Sequence, residues 1–102
     1  MSRREAVKPA EVAGEGADWL AADFTGNVPA EYARLFAKAL VDEMHRLDIG
    51  YRELGKMAGG ISHSTINGII KGRTIPDLAT IALLEKALNK ELLPSQRLRK
   101  KR

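Results

Sequence analysis

The chain has 102 residues, a formal net charge of +4 and no cysteine. That is room for one small domain, and it excludes a disulfide framework or a thiolate metal site. Only 5% of the residues are aromatic, so a core must be built from Leu, Ile, Ala and Met.

Charge is unevenly placed. Residues 1–28 hold three Lys/Arg and five Asp/Glu, residues 29–94 nine and eight, and residues 95–102 five basic residues and no acid. Basicity is therefore mainly a property of the C-terminal tail, which would attract any polyanion. The basic N-terminus has no apolar stretch behind it, so it does not read as a secretory signal. No apolar run is long enough to span a membrane, and the expected location is the cytoplasm, on the nucleoid.

Residues 1–28 mix small, acidic and glycine residues without a sustained period. A short helix over Ala10–Ala22 is conceivable, anchored by Val12, Trp19 and Leu20, but Gly14 and Gly16 weaken it. The segment reads as a partly ordered extension, and a candidate surface for a protein partner. The Gly14-x-Gly16 pair follows no strand and does not make a nucleotide loop.

The pattern changes at Pro29, behind a cap at Asn27. Tyr32, Leu35, Phe36, Ala39, Leu40, Met44 and Leu47 recur at three- and four-residue steps. They predict an amphipathic first helix of about 18 residues. Its wet side would carry Arg34, Lys38, Asp42, Glu43 and Arg46, and Asp48–Gly50 would end it.

A second helix is predicted from Tyr51 to Ala58, with Leu54 and Met57 or Ala58 inward, broken by Gly59-Gly60. Ser62 is a suitable cap for a third, His63 to Lys71, with Ile66 and Ile69 inward. Gly72 stands where a helix would end in a left-handed residue. Asp77 would cap a fourth helix, Leu78 to Asn89, with Leu78, Ile81, Ala82, Leu84/Glu85 and Leu88 in register. Leu92 and Leu93 would tuck the chain end onto the core. Nothing reads as a strand, so the fold class is all-α, with four to five short helices.

The stretch Tyr51–Arg73 carries the functional signal. Two short helices joined by a tight glycine turn cross steeply, and Gly55 and Ala58 supply small residues where backbones meet. Hiding Ile61, Ile66 and Ile69 leaves the outer face of the third helix to Ser62, His63, Ser64, Thr65 and Asn67. These are short hydrogen-bonding side chains without an acid, suited to base edges in the major groove. Tyr51 and Arg52 start the second helix, where free N–H groups favour a phosphate. Lys71, Arg73 and Thr74 lie beyond the third. Glu53 is the only acid between Gly50 and Ile75, against four basic residues.

These residues give the segment its resemblance. Residues 35–89 look like the helix-turn-helix domain of the lambda repressor/Cro (XRE-like) family. The matching steps are Leu54-Gly55, Ala58-Gly59, Ile61-Ser62, Ser64-Thr65-Ile66, Gly72-Arg73 and Pro76. The resemblance implies a third helix in the major groove of double-stranded DNA. His63, Ser64, Asn67 and Thr65 would read bases, and Tyr51, Arg52, Ser62, Lys71, Arg73 and Thr74 would grip phosphates. Ser62 reads as a cap that could also make a contact, and Thr65 could instead bond back to its helix.

Four positions depart from the family pattern. Tyr51 replaces the usual glutamine, and Gly60 adds a residue to the turn. Gly68 sits where many relatives carry a long base-reading side chain, and no dimerising element is evident after Asn89. The expected domains are the extension 1–28, the helix-turn-helix 29–94 and the basic tail 95–102, the last a candidate aid to nonspecific DNA binding.

The function implied is a sequence-specific regulator of transcription, as a repressor of phage or bacterial type, with a homodimer as candidate assembly. An antitoxin holding a partner protein, or an architectural or recombination accessory, are the rival readings. No enzyme is expected. Adjacent Ser62 and His63 diverge on one helix and, with Ser64 and Asp77, make no nucleophile–base pair. His45 and His63 are too few for a metal site, and no cofactor or membrane partner is implied.

Overall fold

The computed structural model describes residues 19–21 and 27–93. A 3-10 turn, Trp19–Ala21, precedes four helices: α1 (Val28–Leu47), α2 (Tyr51–Met57), α3 (His63–Ile70) and α4 (Leu78–Leu88). The described residues contain no strand, as the sequence predicts. The rest of the short helix considered over Ala10–Ala22, and the tail 95–102, lie outside the described residues.

Side-chain caps start three of the helices. Asn27 Oδ1 accepts from the Ala30 amide at 3.1 Å, Ser62 Oγ from Thr65 at 3.1 Å, and Asp77 Oδ1 from Thr80 at 2.8 Å. Each satisfies an amide that has no partner inside its own helix. The Thr80 hydrogen bond also holds the Asp77 carboxyl below its usual range. Helix α2 follows Gly50, which has no side chain to cap it.

All four helices end in one way. A left-handed residue donates its own amide back into the last turn and lets the next amide do the same, the latter as Gly60→Gly55 after α2 and Arg73→Gly68 after α3, each 2.9 Å. Gly59 (φ 88°) and Gly72 (φ 75°) fill that position after α2 and α3, as their sequence places suggest. Asp48 (φ 57°) and Asn89 (φ 52°) fill it after α1 and α4.

Phe36, Leu40, Leu54, Ile66, Ile69 and Leu84 form the centre of the core. Helix α1 packs on α3, and α2 packs on α3 and α4. The α2–α3 crossing is close because Gly55 faces the Ile61 carbonyl, where any Cβ would overlap that oxygen. Beyond α4, Leu92 is buried. Glu85 Oε2 holds it there by accepting from the amides of Leu92 (2.7 Å) and Leu93 (3.1 Å).

Several sequence expectations change at the edges of this core. Glu43, assigned to the wet side of the first helix, is only 3% exposed. It lies three residues from Leu40 on the inward stripe, and Arg46 neutralises it, with Lys90 Nζ 3.9 Å away. Arg34 is also largely covered, donating to both Glu31 oxygens and to the Leu20 carbonyl. Leu78 is 78% exposed and Ala82 is exposed, so the inward stripe of α4 reduces to Ile81, Leu84 and Leu88. The predicted stripe runs off the core at the first turn, where the described residues leave Leu78 and Ala79 uncovered. At the end of α2, Ala58 turns in and Met57 turns out; so short a helix offers one inward position per turn.

Trp19 supplies the main addition. It is buried, and its Nε1 donates to the Ile70 carbonyl at 2.8 Å, at the end of α3. The 3-10 turn also packs on α1.

Candidate nucleic-acid interface

Helix α3 is split by its own periodicity. Ile66 and Ile69 are completely or almost completely buried, whereas His63, Ser64 and Thr65 are exposed and Asn67 is half-buried on the outer side. The capped N-terminus holds this face in place. Ser62 Oγ accepts from the Thr65 amide, and the two hydroxyls lie 3.0 Å apart. Thr65 thus spends its hydroxyl on the cap, not on a carbonyl of the preceding turn. Ser62 remains exposed while capping, so its two predicted roles are sterically compatible.

The residues flanking α3 fall on either side of it. Arg52 is exposed at the start of α2, and Lys71, Arg73 and Thr74 are exposed after α3. The Arg73→Gly68 and Gly72→Ile69 bonds fix the direction in which this second group leaves the helix. Among the described residues, the ion pairs are Arg34–Glu31, Lys38–Asp42, Arg46–Glu43 and Lys90–Glu43. Arg52, Lys71 and Arg73 take part in none of them, so their charges stay available to an outside anion.

Two exposed rows of donors around a hydrophobically anchored helix are the geometry of a DNA reader. Residues 46–94 match the family model described as Helix-turn-helix, and neither curated proteins nor solved structures give a match. Residues 46–94 are a helix-turn-helix domain of the lambda repressor-like XRE family.

The domain is thus a DNA-binding one, and α2, the Gly59-Gly60 turn and α3 are its helix-turn-helix. Within it, Tyr51 differs most from the other flanking residues. Its side chain is half-buried and lines an apolar cleft with Val41, Met44, His45, Ile49 and Ile70. Gly68 is buried, and a Cβ there would meet the Thr74 methyl at an ordinary 3.5 Å. The loop after α3 thus passes beside this position.

Sequence reasoning missed Lys56. It is exposed on α2, one turn beyond Arg52, and makes no ion pair among the described residues. The i,i+4 spacing of Arg52 and Lys56 was the available signal, since it places both on one helix face. No group of three His, Asp or Glu side chains among the described residues could hold a metal ion. No helix among them is long and apolar enough to cross a membrane.

Proposed function

We propose that this chain is a sequence-specific regulator of transcription that binds double-stranded DNA, as a repressor of phage or bacterial type acting on the nucleoid in the cytoplasm. Recognition helix α3 enters the major groove. His63, Ser64, Asn67 and the Thr65 methyl meet base edges, while Arg52, Lys71, Arg73, Thr74, Ser62 and Tyr51 meet phosphates. The supporting observation is the acid-free row of exposed His63 and Ser64 and half-buried Asn67, bounded by cations that make no ion pair among the described residues. One module of this size buries little DNA, so a two-fold pair on half-sites about one turn apart is the working assembly. The exposed Leu78, Ala79, Ala82 and Leu83 on α4 support a homodimer, since they lie on one apolar face.

Selection of bound sequences from a random duplex pool tests the reading. It should return a single motif, and a palindrome if the chain dimerises. His63→Ala and Asn67→Ala should each lower discrimination against random duplex by about 1–3 kcal/mol. Full discrimination in both variants would remove these residues from the reading face. No enrichment at all would end the proposal.

A second reading has its own observation. Trp19 belongs to the N-terminal extension and is bonded to the end of the recognition helix. A protein partner that engaged residues 1–28, as in an antitoxin, would act on α3 directly through it.

A further inference from the structure

An open cleft of about 320 Å³ lies between α2 and the start of α3. Arg52, Lys56 and His63 line it together with Gly55, Gly60 and Ile61, and no carboxylate does. We propose that this cleft is a second seat for a DNA backbone phosphate, with Lys56 as a binding residue in its own right. The inference rests on the reading that α3 enters the major groove.

The turn makes the cleft. Gly60 is the residue by which this turn exceeds the family pattern, and it holds a positive φ of 101°. A Cβ at Gly60 would meet nothing within 4 Å, so the space beside the turn is open. The wall opposite is α2, whose outer face brings Arg52 and Lys56 to the cleft one helical turn apart. At the start of α3, only the Thr65 amide is met by the Ser62 cap; the amides before it have no acceptor inside the helix. Two cations that make no ion pair among the described residues, an imidazole and a helix start therefore converge on a cleft that no described carboxylate lines.

The shape selects a polymer's phosphate over a small free anion. The cleft is a groove at the surface, not an enclosed cavity, and an isolated ion in it would keep most of its water. A phosphodiester is delivered there by the duplex itself. Helix α3 has eight residues and so is about 12 Å long, close to the width of the major groove. With Lys71 and Arg73 at one end and Arg52, Lys56 and His63 at the other, cations face both walls. His63 then contacts a phosphate at the rim as well as, or in place of, a base.

The test is Lys56→Ala in the full chain, beside wild type and Arg73→Ala, with binding to a random duplex measured across about 50–200 mM salt. Lys56 is exposed, and an unchanged thermal midpoint confirms that the variant is folded. The slope of log K against log salt should flatten by about 0.9, so the loss of affinity over that range shrinks roughly threefold. Preference for the selected motif over random duplex should stay as in wild type. If Lys56→Ala keeps the wild-type slope while Arg73→Ala flattens it, the cleft takes no phosphate although the DNA-binding reading stands. A change in motif preference would make Lys56 a base reader and equally overturn the assignment. So would saturable shifts of the Gly60 and Ile61 amides on titration with inorganic phosphate alone, which would mark a free-anion site. Failure of wild type to bind any duplex would instead remove the reading on which the inference rests.

Discussion

Glu43 illustrates how a single residue can contradict its type. Its carboxylate sits at the rim of the core and accepts from both Nε and Nη2 of Arg46. That hydrogen bonding lowers its pKa, burial opposes the shift, and the charges of Arg46 and Lys90 add to it. The linkage has a definite sign. A carboxyl whose folded pKa lies below its unfolded one contributes stability that is present above the unfolded pKa. That contribution is lost as pH falls through the folded pKa. Glu43→Gln should therefore have a lower thermal midpoint than wild type at neutral pH. The gap should close below the usual carboxylate range. A pH-independent gap would show that packing, not charge, sets the role of Glu43. The sequence reading put this residue on the wet side because of its charge, although its spacing of three residues from Leu40 was a signal for the inward side. The cations that permit burial lie three residues on and, for Lys90, just past the end of α4, and only the folded chain brings the latter close.

At the scale of elements, the ends of the helices were more legible than their faces. Caps and terminators act through bonds within five residues, so Asn27, Ser62, Asp77, Gly59 and Gly72 declare themselves locally. Asp48 and Asn89 do the work of glycine without being glycine. A left-handed conformation costs an ordinary residue about 1–2 kcal/mol, partly offset because glycine loses more freedom on folding. Asp48 makes none of the ion pairs found among the described residues. Asp48→Gly should thus stabilise the fold by about 0.5–1 kcal/mol, raising the thermal midpoint by about 2–8 °C. A lower midpoint would mean that the Asp48 side chain has a stabilising partner. The faces were harder to read, because a hydrophobic stripe says which side is apolar and not how far the neighbouring helix reaches. Leu78 and Met57 continue their stripes correctly and end up in solvent.

Across the whole molecule, two tethers hold the described segments that flank the four helices, one on α4 and one on the end of α3. Glu85 holds Leu92 and Leu93 at one end, and Trp19 holds Ile70 at the other, across 51 residues of sequence. Trp19 also fills a buried position, so its ring and its N–H are separable contributions. Trp19→Phe keeps most of the apolar volume and leaves the Ile70 carbonyl without its partner. It should cost about 1–3 kcal/mol in denaturant unfolding. Unchanged stability would show that water replaces the indole donor without loss. The DNA face should respond less than the fold, because Ile70 is at the far end of α3 from His63. A comparable loss of motif discrimination in Trp19→Phe would instead reveal that the tether aims the recognition helix.

What the sequence determined unaided is the order of the helices, their caps, the glycine-hinged crossing and the polar row on the third helix. Each follows from interactions within a few residues, where spacing and side-chain chemistry are sufficient. The tertiary structure decided that Glu43 is inside, that Trp19 closes the end of α3, and that Lys56 and His63 line one cleft. These depend on residues brought together by packing between elements, and such proximity has no counterpart in the linear spacing of side chains.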